Sequence, residues 1–317
     1  MNTNNTNAIS NSPAAMAGIA RSAVLVDFTM RVFTGRRRDR VTQDEVTAAK
    51  NAKSKRAASV SKSLFADCAE LDAIIKHQAQ VRKLHYKLTL PWADGGARLL
   101  PIVSQMRYAQ TMDAARSEFD TLVTRFLDRY DTLVAASAFN LGELFDRSEY
   151  PTRNRVSRQF AIAVSYSPLP LAGDFRVDAE SDIQKHLISQ YEERMTSAVA
   201  TVQRDSWTRL HTELKHIVDR LTDKDGKKNK IFDSLLTNPL ELCGLLTAFN
   251  VTNDPALEVA RRRLENTLMG VTTDDLRKSA DARVEVRTTV AQILADNDWS
   301  MIDDDAQEAD AGAQEEV

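Results

Sequence analysis

Residues 179–222 read AESDIQKHLISQYEERMTSAVATVQRDSWTRLHTELKHIVDRLT, and within them Ile183, Leu187, Tyr191, Ala198, Val202, Leu210, Leu214, Ile217 and Leu221 recur mostly at spacings of three or four. That period places the apolar side chains on one stripe of an α-helix. From Ile183 to Leu221 the helix spans 39 residues, about 58 Å at the usual rise. Such a length predicts an elongated molecule with coiled-coil packing, the narrow stripe facing either a second copy or residues 57–138.

Toward the N-terminus, Val60, Leu64, Cys68, Leu71, Ile75, Val81, Leu84 and Leu88 keep the same period, so the spacing predicts one helix over 57–88. Leu90-Pro91-Trp92 stops it, because proline disfavours helical geometry in the residue before it. Pro101 opens the next helix, where Phe119, Leu122, Val123, Phe126, Tyr130, Leu133 and Val134 form a second stripe. Together the two predict an antiparallel helical hairpin. Thr42 and Glu45 have the spacing of a capping box for a short helix ahead of it.

Two other stretches alternate with the period of a strand. Val24, Val26, Phe28, Met30 and Val32 alternate over 23–33, and Phe160, Ile162, Val164 and Tyr166 over 160–166. A short run from Phe175 to Val177 reads as the second strand of a hairpin with 160–166, and the strand at 23–33 joins both into a three-stranded antiparallel sheet, since a hairpin alone is marginal in water. The fold class expected is therefore mainly α with a small antiparallel β-sheet, an α+β arrangement built on long helices.

Beyond the long helix, 231–236 and 240–249 read as two small helices separated by Asn238-Pro239. Asp254-Pro255 caps a helix to about Met269, and Thr273 opens a last one to about Ala295. Residues 303–317 hold seven acids and no base, and 1–17 lack hydrophobic period. Both ends read as disordered, with order expected near Ser22. The expected organisation is a disordered 1–21, a long-helix domain with the sheet over 22–222, a helical segment over 223–302 and an acidic tail over 303–317.

The 317 residues are 43% hydrophobic and 27% charged, enough for a packed core, and only 18 positions are Gly or Pro, which favours helices over a turn-rich β architecture. Residues 1–20 hold no Lys or Arg, so the basic start of a secretory signal is missing. No stretch has the roughly 20 apolar residues of a bilayer span. A cytoplasmic location without a membrane partner is expected. Cys68 and Cys243 sit in apolar helical patterns and read as small hydrophobes rather than as a disulfide or a zinc site.

The motifs of common catalysts are missing. There is no Gly-x-Ser-x-Gly, no Gly-x-x-x-x-Gly-Lys-Ser/Thr and no Gly-x-Gly-x-x-Gly, and none of the five histidines lies four residues from another, as a helical zinc pair would. His211 and His216, five apart, point in different directions around a helix. The chain is expected to be no enzyme and to need no cofactor.

Two stretches carry binding chemistry. Residues 36–62 contain nine Lys or Arg against three acids, and Arg36, Arg37, Arg38 and Arg40 at a strand end could meet phosphates or an acidic partner, including the chain's own tail. Little aromatic interleaving is present for stacking on bases. The lysines of 224–230 read as a solvated turn. The segment 90–101 gathers Trp92, Asp94, Gly95, Gly96 and Arg98, either as a packed corner between helices or as a binding loop.

The landmarks Val-Phe-Thr-Gly-Arg at 32–36, Leu-Pro-Trp through Leu-Leu-Pro at 90–101, Tyr-Pro at 150–151 and Gly-Asp-Phe-Arg-Val at 173–177 resemble an uncharacterised family of tailed-bacteriophage proteins. The resemblance covers roughly residues 22–222. It implies a phage protein working in the host cytoplasm beside a MoxR-type AAA+ ATPase and a von Willebrand factor A-type protein, and it carries over no catalytic residue. The function expected is a non-catalytic interaction or scaffold protein that pairs with itself or with the ATPase. The alternative is a nucleic-acid-associated protein that grips phosphates through residues 36–62.

Overall fold

The computed structural model describes residues 13–54, 56–93, 96–170, 181–223 and 229–302. Asp94 and Gly95, the expected strand at 175–177, the lysines at 224–228 and the tail at 303–317 lie outside the described residues.

Along the chain run α1 (Pro13–Ser22), β1 (Ala23–Arg31), β2 (Arg36–Arg38), α2 (Arg40–Ala49), β3 (Ser61–Ser63), α3 (Ala69–Leu88), β4 (Arg98–Pro101), α4 (Gln105–Asp128), α5 (Tyr130–Leu141), α6 (Arg153–Ser157), β5 (Ala161–Pro168), α7 (Ser181–Leu221), α8 (Ser234–Phe249), α9 (Pro255–Leu268), α10 (Thr273–Lys278) and α11 (Ala280–Asp296). The protein is mainly α, with a three-stranded sheet in the order β4-β1-β5 and a two-stranded ladder of β2 and β3. The described residues form two compact units. One is drawn from Met1–Asp27, Leu88–Gln105 and Tyr166–Val317, the other from Phe28–Lys87 and Met106–Ser165.

In the first unit, β1 and β4 are antiparallel, with Ala23 opposite Pro101 and Val26 opposite Arg98. The partner of β1 on this side, Arg98–Pro101, lies inside the stretch read as a helix corner or binding loop, so part of that stretch is a strand. Leu90 and Leu99 exchange both amide-to-carbonyl bonds, 2.8 and 2.9 Å, an antiparallel bridge that sets Leu90 beside β4. Order also starts earlier than expected, since α1 occupies 13–22.

The helix α7 does form over nearly the expected residues, and the C-terminal part of its stripe is covered within the chain. Trp207, Leu210, Leu214, Ile217 and Leu221 are buried in one core with residues of α8, α9 and α11, including Leu246, Leu264 and Val290. The Trp207 indole donates to Asp254 Oδ2 at 2.9 Å while the other oxygen of that carboxylate caps α9 through the amides of Ala256 and Leu257. His211 is half-buried. Its ring packs 4.7 Å from that of Trp299. Residues 234–249 form one helix with Pro239 inside it, and the last helix is broken at Ser279, whose side chain caps α11.

The second unit is built on aromatic packing. Phe65 lies edge-on to Phe33, Phe126 and Tyr150 at centroid distances of 5.9, 5.6 and 5.3 Å, and Phe126 reaches Phe160 at 6.0 Å. The phenols close the cluster, Tyr150 donating to Leu64 O and Tyr130 to Pro151 O. The helices α3 and α4 run antiparallel, since His77 Nε2 donates to Ala115 O at 2.9 Å and His85 Nδ1 lies 2.8 Å from the Tyr108 hydroxyl. The expected helix at 57–88 begins only at Ala69, because residues 61–63 are drawn into β3 and the Leu64 amide donates to Gly35 O at 2.7 Å. Gly35 has φ +62, and a Cβ there would stand 3.1 Å from Leu71 Cδ2, so only glycine lets the chain turn this close to the core.

Candidate functional site

The basic stretch is organised by the β2–β3 ladder. Register sets Arg36 opposite Ser63, Arg37 opposite Lys62 and Arg38 opposite Ser61. Because side chains alternate across a strand, Arg37 and Lys62 share one face, while Arg36, Arg38, Ser61 and Ser63 share the other.

The contacts bear out this division. On the first face, Glu149 Oε2 lies 2.7 Å from Lys62 Nζ and its Oε1 3.6 Å from Arg37 Nε, and Lys62 also donates to Leu144 O. Asp39 is 3.9 Å from Lys62. Its carboxyl is held below the usual aspartate value, first by the Thr42 amide and then by the Thr42 hydroxyl and the Lys62 charge. Asp146 is lowered mainly by Ser148, with Lys62 and Arg37 adding to the effect. Three carboxylates therefore face two cations here.

The second face has a different balance. Arg38 gives both Nε and Nη2 to Gln43 Oε1, at 2.9 and 2.7 Å, a neutral partner that fixes the guanidinium and leaves its charge in place. Arg36 and Arg40 are exposed, and their side chains make no ion pair with a described residue. Asp39 is the N-cap of α2 in place of the expected Thr42, so Arg40 opens that helix. Of the four candidate arginines, the structure gathers Arg36 and Arg38 on one ladder face, assigns Arg37 to an internal ion pair and places Arg40 beside them in sequence at the start of α2.

The second candidate stretch divides differently. Arg98 is not presented as a ligand group: Nε and Nη2 donate to Thr89 Oγ1 and O at 2.7 and 3.2 Å. Arg209 reaches the same Thr89 carbonyl at 2.9 Å and binds Asp205 at 2.7 Å. Burial raises the Asp205 carboxyl, and Arg209 and Arg98 oppose the rise. Trp92 is half-buried and the Gly96 amide donates to Ala93 O in the turn. The described part of 90–101 is thus a strand-forming turn tied to α7 by a polar network.

Reading the sequence missed Ser61, Ser63, Gln43 and Glu149. Glu149 lies 112 residues from Arg37, and β3 is only three residues long, so neither gives a local signal. Cys68 and Cys243 are buried free thiols, and burial pushes Cys243 up to about 11. Among the described residues no three His, Cys, Asp or Glu side chains gather as metal ligands, and no helix is long and apolar enough to cross a membrane. Compared with models of known protein families, with curated proteins and with solved structures, the chain matches none.

Proposed function

We infer that this chain is a non-catalytic docking protein, an adaptor that holds a protein partner through the second unit. The observation that supports this reading is Phe139, which is 91% exposed on α5. Ala135 and Ala136, one turn earlier on the same side, are exposed as well, and Leu144 just beyond the helix is 46% exposed. An apolar helix face left in water forgoes roughly 1.5–3 kcal/mol for the phenyl ring alone, and covering it rewards association.

The resemblance to the tailed-phage family points to a MoxR-type AAA+ ATPase in the host cytoplasm as that partner. Nucleotide turnover then belongs to the ATPase and not to this chain. Isothermal titration of the purified chain against such an ATPase tests the reading. Binding is expected, with Phe139→Asp weakening it at least tenfold while leaving the thermal unfolding curve in place. Equal binding by wild type and variant would remove α5 as the docking face, and no binding by either would remove the ATPase partner.

A further inference from the structure

Beyond protein docking, we propose that one face of the β2–β3 ladder, carrying Arg36, Arg38, Ser61 and Ser63, is a binding site for successive phosphates of a nucleic-acid strand. It does not rest on the α5 face. Its basis is the sorting of charge by register: alternation sends Arg37 and Lys62 to the side occupied by Glu149, and leaves the other side with two guanidinium groups, two hydroxyls and the amide of Gln43.

Each of these groups suits a phosphate. Guanidinium donors match its oxygens, and Ser hydroxyls recur in contacts to the backbone. Arg36 and Arg38 lie two residues apart on an extended strand, about 6.6 Å at the usual rise, so one phosphate can sit over each cross-strand Arg–Ser pair. The Gln43 oxygen holds Arg38 by Nε and one Nη2, and the Nη1 side of the fork is not used in those two bonds. Arg40, exposed at the start of α2, adds a third cation at one end. The ladder holds no aromatic residue for stacking, so affinity comes from the backbone and carries little base preference.

The test compares fluorescence-anisotropy titrations of the full chain with an oligothymidylate across a series of salt concentrations. Three phosphate contacts predict a log–log salt slope of about −2, a loss of about tenfold to twentyfold between low and near-physiological salt. Arg36→Gln with Arg38→Gln should remove most of this slope. Arg37→Gln, which changes the same net charge by one on the opposite face, should keep both affinity and slope within about twofold. Circular dichroism of each variant verifies that the ladder is intact. Equal weakening by Arg36→Gln and Arg37→Gln would mean unspecific attraction to a basic surface and overturn the site. So would the absence of oligothymidylate binding by the wild type at low salt, or displacement of the oligonucleotide by polyglutamate at equal charge concentration, which would assign the face to an acidic protein.

Discussion

Arg37 and Lys62, opposite each other in the β2–β3 ladder, converge on the single carboxylate of Glu149, which lies 112 residues from Arg37 along the chain. Lys62 and Glu149 are largely shielded, with side chains 11% and 16% exposed, whereas Arg37 is 53% exposed. Removing one partner of the shielded Lys62–Glu149 pair costs more than removing Arg37, because the charge left behind is poorly solvated.

Glu149→Gln keeps the shape of that side chain and removes its charge. It is expected to destabilise the protein by about 1–3 kcal/mol, the cost of a shielded charged group losing its partner. Arg37→Gln should cost much less, since that guanidinium can turn to solvent. Denaturant midpoints of the two variants test the ordering, and a larger loss from Arg37→Gln would contradict it.

Leu214 is fully buried in the core that α7 makes with α8, α9 and α11. Leu214→Ala should lower stability by about 2–5 kcal/mol, from lost transfer energy and the cavity left behind. The loss should not vary with protein concentration, because the stripe is covered within the chain. A seam between two copies would instead give a concentration-dependent midpoint and a change of mass in light scattering.

Glu258 accepts from Arg261 at 2.8 and 2.9 Å and from Arg262, and these bonds, Arg261's first, depress its carboxyl to about 2. A folded value below the unfolded one means that stability is fully present above the unfolded value, about 4.3, and is lost as pH falls toward about 2. Thermal unfolding between pH 5 and pH 2 should therefore show a steeper acid decline in the wild type than in Glu258→Gln. Parallel declines would rule out this carboxylate as a contributor.

What could be read from the sequence was whatever repeats locally. The period of Leu210, Leu214, Ile217 and Leu221 marked α7 almost to the residue, and the alternation from Val24 to Met30 marked β1. Pairing partners were not legible, because a strand of four residues such as Arg98–Pro101 has too few positions to display alternation. The same applies to Ser61–Ser63, which periodicity absorbed into a longer helix through Val60 and Leu64. For the candidate site, charge density located the arginines. Which of them are neutralised depends on Glu149 and on ladder register, and neither leaves a trace near residue 37.

The strand β1 begins among residues of one unit and ends among those of the other, and the second unit closes with Ser165. During synthesis, every residue of that second unit is added before any residue of α7. The first unit, although it holds the earliest helix α1, must wait for α11 to complete its core. Vectorial synthesis therefore reverses the order suggested by the N-terminus, because the second unit is complete in the growing chain while the first still lacks α7 to α11.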